Sequence, residues 1–447
     1  MPSVLAARGE APLHSNGAAT RLNAKLRSAW ARAAWVRAAW VRAAFARAAF
    51  ARAAFAGAAF AGASFALAAL TASPVVLFGQ TPITAVGLGY PVAPVDGRSA
   101  ALGGSGSGLL GGSYSLTNPA DLLLHAEPGF SVSLASEGVT LEGESRSLDT
   151  GRGRFTTIRA LVPHGGWAFS LAFGGEFDQD WSNILRDTLR LNDGQVPYEE
   201  TREHNGGISA IDASLARRFG PLGVGVSAQR LTGSLRQSFF RQFDDPIGGA
   251  PALGGIVGAR ELSWRAWRFR AGGSIRLGER VVAGVALGTG GTLYATPEGA
   301  EEPEAEFDLP TSMELGGSVR VTDQLLVTAG GGRAAWSAVG SRDAAAGSAF
   351  QSHDIAWLGG GIEYGALSLL GGKLPLRVGW RRTGLPFSRG AEALQESALT
   401  AGFGWEFQEG LAVLDVAFEG GSRGDVATAG FAESFRRVTL SFSLRQR

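Results

Sequence analysis

The chain contains no cysteine. That excludes a disulfide framework, thiolate metal sites and a lipoprotein anchor. Beyond the N-terminal region there is no run of about 18 apolar residues, so a bundle of transmembrane helices is excluded as well. Acidic residues are almost missing from positions 1–80, where Glu10 stands against nine Lys and Arg. The remaining residues carry 32 basic and 39 acidic side chains, a net of −7, with no basic cluster. Nucleic acid is therefore not an expected partner. No HExxH, GxSxG, P-loop or EF-hand spacing is present, and the five His are scattered. His353, near Ser352 or Ser337, is the nearest approach to a Ser/His pair. No enzyme, cofactor or metal site is expected. The acidic stretch Glu298 to Asp308 reads as a solvated loop.

What is present is alternation. From Arg437 to Arg445 the chain reads RVTLSFSLR: Val438, Leu440, Phe442 and Leu444 point one way, and polar residues point the other. The same dyad recurs from about residue 128 to the end. A mean hydropathy of only +0.07 fits strands that hide their apolar side in alternation. Fourteen such segments follow one another, and their connections alternate long and short. The long ones include 141–152, 177–205 and 237–259; the short ones include Pro163-His164-Gly165 and Phe219-Gly220-Pro221. Together these predict an all-β fold: a transmembrane antiparallel β-barrel of 14 strands over 128–447, with both termini at the short-turn end. A soluble β-sandwich also alternates, but its strands are shorter and its loops lack this rhythm. The phase slips between Trp264 and Trp267, where a bulge would restore it. Trp167, Phe177, Trp336, Trp357, Trp380, Phe387 and Trp405 are candidates for interfacial girdles.

Residues 1–80 read as a signal peptide extended by a low-complexity repeat. Aromatics fall every five residues from Trp30 to Phe65, with arginines from Arg32 to Arg52 between them. An uncharged stretch, Ala53 to Gly79, follows. An uncleaved membrane helix is the competing reading of that stretch. Residues 81–127 then form a small-residue segment fit to thread a barrel lumen.

Within 177–205, Trp181, Ile184, Leu185, Thr188 and Leu189 fall at helical spacing and predict an amphipathic helix. Its apolar face either captures an apolar ligand or packs on the barrel rim. By strand phase Arg377, Arg381, Glu406, Asp415 and Glu419 face the lumen. They read as wall-to-plug salt bridges, with Arg377 or Arg381 as the alternative holder of a carboxylate headgroup.

The segment GRSAALGGSGSGLLGGSYSLTNPADL, with Gly103-Gly104 and Asn118-Pro119-Ala120, resembles the N-terminal hatch of the FadL-type outer-membrane long-chain fatty-acid transporter superfamily. The C-terminal runs LPLRVGWRRTGLPF, ESALTAGFGWEF and ESFRRVTLSFSL are similar to it too. That superfamily includes barrel subunits of the type IX secretion system. The resemblance implies a fourteen-stranded barrel with a hatch in its lumen, passive uptake of hydrophobic small molecules, and lateral release through a defect in the third strand. Gly174-Gly175 stands at that position here. It also implies a bacterial outer-membrane location, with outer-membrane lipid, a hydrophobic ligand and the barrel-assembly machinery as partners. One departure is the end of the chain: the last aromatic is Phe442, whereas such barrels often finish on one. The alternatives are a partner-binding barrel that receives secretion-system proteins and a general porin.

Overall fold

A computed structural model describes residues 83–143, 147–191, 194–248, 250–339, 350–388 and 392–446. The expected signal peptide at 1–80 lies outside the described residues.

The hatch comes first. It holds strand β1 (Tyr90–Pro91), helix α1 (Gly97–Ala101) and a 3-10 turn at Pro119–Leu124. Strands β2 (Gly129–Gly143), β3 (Ser147–His164), β4 (Trp167–Asp178), β5 (Trp181–Leu191), β6 (Gly194–Phe219), β7 (Leu222–Phe243) and β8 (Ile256–Leu277) follow. Next come β9 (Val281–Gly288), β10 (Gly291–Pro297), β11 (Ala305–Leu309), β12 (Ser312–Arg320), β13 (Leu325–Ala334), β14 (Gln351–Ser352) and β15 (Ile355–Tyr364). The last set is β16 (Ser368–Leu369), β17 (Gly372–Lys373), β18 (Leu376–Gly384), β19 (Phe387–Ser388), β20 (Gln395–Phe407), β21 (Ala412–Asp425) and β22 (Phe431–Arg445).

The barrel is closed, antiparallel and fourteen-stranded. β9 with β10 makes its seventh crossing and β11 with β12 its eighth. β22 returns to β2 over fifteen residue pairs, Gly129↔Arg445 to Gly143↔Phe431, so no open edge remains there. Alternation accounts for the wall. On β20 Leu399 is 71% exposed, and on β18 Val378 is 57% exposed. Their neighbours Ala398, Thr400 and Arg377 are buried. A greasy exterior with a polar, filled interior suits a bilayer.

Three expectations need correction. The segment from Trp181 is a strand, not a helix. β5 pairs with β6 from Trp181↔His204 to Leu191↔Gly194. Asn183 and Asp187 favour helices poorly, and the sequence Asn192-Asp193-Gly194 is a hairpin signal. Second, the long connections are largely strand. β6 and β7 stay paired from Tyr198↔Phe243 to Phe219↔Leu222, well beyond a bilayer's thickness. Third, no bulge separates Trp264 from Trp267, because the β7–β8 register runs on through both. Trp264 is buried inside the barrel and Trp267 is exposed outside, so the two were never meant to share a face.

Candidate functional site

The hatch sits on glycine. Gly103 takes φ +71°, and a methyl there would lie 2.7 Å from the Gly360 carbonyl and collide with that of Trp380. Farther round the wall, Asn118 donates to the Gly273 carbonyl (3.1 Å) and accepts from the Ala120 amide (3.0 Å), which caps the 3-10 turn. A methyl on Gly225 would lie 2.6 Å from the Ala120 nitrogen. Backbone therefore meets backbone at both seats, and only glycine permits that approach. The hatch residues Gly103, Gly104, Asn118 and Pro119 are all in the lumen, although Gly104 has more room, with its nearest neighbour at 3.8 Å.

Inside the hatch, Asp96 caps α1 by accepting from the Ser99 amide (2.8 Å) and also accepts from the Tyr114 amide (2.6 Å). Asp121 accepts from the Gly108 amide at 2.7 Å. Burial pushes its carboxyl up to about 7. His125 lies 3.0 Å from the Ser113 carbonyl, and burial pushes its imidazole down to about 4.

One part of the interior is ionic. Arg423 is fully buried and reaches Glu137 (2.9 Å), Glu433 (3.1 Å) and Glu396. Arg437 pairs with Glu419 (2.9 Å) and Glu137. Tyr90 of the hatch stands among them: its hydroxyl donates to Glu396 at 2.7 Å and accepts from Arg437 at 2.9 Å. Arg152, Arg154 and Arg423 each lie over its ring, at 4.7, 4.8 and 4.6 Å. Arg377 is held by Glu363 (2.8 Å) and Asp415 (2.6 Å), and Arg381 by Glu396 (2.6 Å) and Glu419 (3.0 Å). Arg98 of the hatch shares Glu363. Both lumen arginines are thus matched to carboxylates.

The opposite part of the interior is apolar. Leu88, Phe177, Ile208, Leu231, Trp264, Leu293, Phe307, Trp336 and Phe387 form one buried cluster. Trp336 meets Phe177 edge-on at 5.4 Å and Phe387 at 5.5 Å. Three expected girdle residues, Phe177, Trp336 and Phe387, therefore line the inside instead. Trp357 shares the phase of the lumen residue Glu363, whereas Trp167 and Trp380 are exposed on the outer face. A ring at a strand end looks the same from sequence whether it meets lipid or lumen.

The ionic and apolar parts meet at the third strand. β3 and β4 pair only from His164↔Trp167 to Thr157↔Gly174. The β4–β6 register then shifts between Gly175 and Phe177, skipping Glu176. Beyond that point β1 of the hatch takes over as partner, Pro91↔Phe177 and Tyr90↔Asp178. The bulge re-aims the strand. Gly174 and Gly175 stand where the wall ladder ends.

Trp181, Leu185 and Leu189 share one face of β5 but make no greasy groove. Trp181 packs edge-on against His204 (5.1 Å), and Leu185 is opposite Glu200, which pairs with Arg241. His353 meets a serine that sequence reasoning did not name, Ser388, at 2.7 Å. That hydroxyl is buried, and the contact fastens β14 to β19.

A closed fourteen-stranded barrel, a glycine-seated lumen hatch and a third strand that leaves its neighbour define a plugged outer-membrane-type barrel. No protein-family profile and no curated protein matches the sequence. Solved structures do match. The toluene transporter TodX of P. putida is similar at 13% identity and a TM-score of 0.52, over 80% of this chain and 99% of that one. A Pseudomonas aeruginosa FadL homologue is similar at 13% identity and a TM-score of 0.51, over 80% and 99%. A TodX deltaS2S3 mutant, a monoaromatic hydrocarbon channel, is similar at 14% identity and 0.51, over 78% and 99%. At such identity the likeness is one of fold, and the fold is the FadL type.

Proposed function

We propose that this chain is a bacterial outer-membrane channel for passive uptake of neutral hydrophobic small molecules. The observation that carries the reading is the double membership of Phe177. It belongs to the apolar cluster, and it is the first residue past the bulge where β4 leaves β3. A greasy site thus adjoins the weakest line of the wall. An apolar molecule gains by leaving water for such a site. Lateral exit past Gly174 and Gly175 would deliver it into the membrane. Val86 and Leu88 of the hatch pack in the same cluster, so entry requires that stretch to shift. A carboxylate headgroup is disfavoured, because Arg377 and Arg381 are already paired and a new anion would have to displace a carboxylate. The general-porin reading loses support from the hatch itself, which fills the lumen it would need.

The test is uptake by cells that express the protein in a strain lacking other such channels. A neutral aromatic hydrocarbon should enter severalfold faster than in the empty strain. A long-chain fatty acid should gain less, and a hydrophilic sugar nothing. Equal gains for the sugar would restore the porin. The secretion-partner reading has one observation of its own: among the described residues β5 pairs only with β6, which leaves an edge of the protruding sheet unpaired there. Unchanged hydrocarbon uptake together with stable co-purification of exported proteins would favour it.

A further inference from the structure

The outer face of the barrel carries five arginines toward one rim and one, Arg217, at the other. On β7, Leu222, Val224 and Val226 are exposed, and the next positions of that phase are Ala228 and Arg230. On β18, Leu376, Val378 and Trp380 are exposed, and the next is Arg382. β8 runs outward through Phe269 and Trp267 to Arg265. β13 ends its apolar phase at Arg333, and β22 ends it at Arg436. Each arginine is the first polar side chain beyond an apolar stretch, on the side away from the short turns. Each therefore stands where its own strand's apolar outer stretch gives way to polar residues, as expected at the edge of a bilayer. Arg230 lies over Trp267 (5.3 Å) and Arg265 over Tyr294 (5.6 Å), the pairing of cation and aromatic found at a lipid interface. Arg382 donates to Gln395 at 3.1 Å. Among the described residues none of the five has a carboxylate partner, in contrast to the arginines of the lumen. Among the described residues, outward acids on neighbouring strands include Glu261 in the phase of Arg265, Glu306 opposite Tyr294, and Asp308, which has contacts of its own. At the opposite rim the outward arginine is Arg217, which stacks on Trp167 (4.7 Å) and Phe219 (5.0 Å).

We infer that Arg230, Arg265, Arg333, Arg382 and Arg436 form a collar that binds the phosphate groups of outer-leaflet glycolipid. The inference rests on the outer-membrane reading but not on what the channel carries. An unpaired guanidinium at the polar edge of a bilayer presents forked donors to phosphate and is little hydrated. Five of them, each at the polar end of an apolar outer stretch on a different strand, match a layer of phosphates better than a single soluble anion.

The test uses the full-length protein in maltoside micelles and a bis-phosphorylated, acylated glucosamine disaccharide as probe, with bound copies counted by native mass spectrometry. The wild type should retain the probe, and its dephosphorylated form should bind at least tenfold more weakly. Each Arg→Gln change in the collar should weaken retention about fivefold. The five Arg→Lys changes together should keep most of it, which guards against a variant that merely fails to fold. Arg217→Gln should change nothing. Equal retention of the dephosphorylated probe, an equal effect of Arg217→Gln, or full competition by millimolar inorganic phosphate would each overturn the collar. Hydrocarbon uptake in the Lys variant should match the wild type, so loss of uptake alone leaves the collar standing.

Discussion

The two sides of the lumen are built on opposite principles. Around β18, β20, β21 and β22, arginines and carboxylates share partners about the Tyr90 ring. Around β4, β6, β8 and β10, rings and aliphatic chains form the main cluster, with charge confined to the Arg268–Glu176 pair (2.6 Å) and Asp212, which Gln229 joins to Arg268. Both sides hold the same hatch in place. The ionic side is unforgiving, since each buried charge depends on the others, whereas the apolar side loses only contacts when a residue is cut back. Under the proposed uptake of apolar cargo, that division would let one side fix the hatch while the other yields.

The sharpest way to break the comparison is Arg423→Met. It leaves Glu137, Glu396 and Glu433 short of a cation in a fully buried site. Breaking a buried network of this kind costs roughly 3–5 kcal/mol. Denaturant unfolding in micelles, read by tryptophan fluorescence, should show it. Arg423→Met combined with Glu396→Gln should recover part of the loss. A cost under about 1 kcal/mol would mean that water already screens the network.

Trp336→Ala comes next. Its ring is 6% exposed and packs on Phe177 and Phe387. Truncating such a residue costs roughly 3 kcal/mol. The comparison gains most from the second readout, because uptake of the neutral hydrocarbon should fall severalfold while the ionic side stays intact. Arg423→Met that spares uptake in its folded fraction would sharpen the contrast. Equal losses of uptake in both variants would erase it.

Gly103→Ala is smaller. The added methyl meets the Gly360 and Trp380 carbonyls, and φ is +71°. Strain and displacement together cost about 1–3 kcal/mol. Gly104→Ala shares the positive φ but has space, and should cost about 1 kcal/mol or less. Hydrogen exchange across 97–112 should separate the two. Matching protection in both variants would mean that backbone strain alone decides the seat.

How far the sequence was legible follows from what period reports. Alternation tells which residues share a face, so the wall, its closure and the lumen position of Arg377 and Asp415 could be read. It does not tell whether a face meets lipid or protein. From sequence alone Phe177, Trp336 and Phe387 therefore read as outward rings, and the phase at Trp264 reads as a bulge. Segments beyond the bilayer carry no such contrast, because both faces meet water. There Trp181 to Leu189 could imitate a helix while pairing as β5. The hatch was legible for another reason: runs of glycine with Asn118-Pro119 leave few structures other than close backbone packing. Gly174-Gly175 marked a place where the third strand could bulge, but nothing local announces that Tyr90, more than 80 residues away, pairs with the strand beyond it.

The smallest effect is the pH response of the hatch, which both sides of the lumen enclose. Asp121 titrates near 7 when folded against 3.8 in a free chain, because burial disfavours its charge. A raised carboxyl means that the folded state holds the proton longer. Its stabilisation is complete below about 3.8 and is lost as pH climbs through about 7. His125 runs the other way, folded near 4 against 6.5. Its stabilisation is present above 6.5 and is lost as pH falls toward 4. Between those limits the two slopes oppose each other, so the wild-type hatch should change little from pH 4 to 6.5 and loosen above. Asp121→Asn keeps an acceptor for the Gly108 amide and removes the charge. Relative to wild type, its amide protection across 97–124 should improve steadily from pH 4 to 7. His125→Gln should remove the acid-side loss instead. A wild-type hatch whose protection falls sharply below pH 6, with Asp121→Asn behaving identically at every pH, would show that His125 alone sets the response.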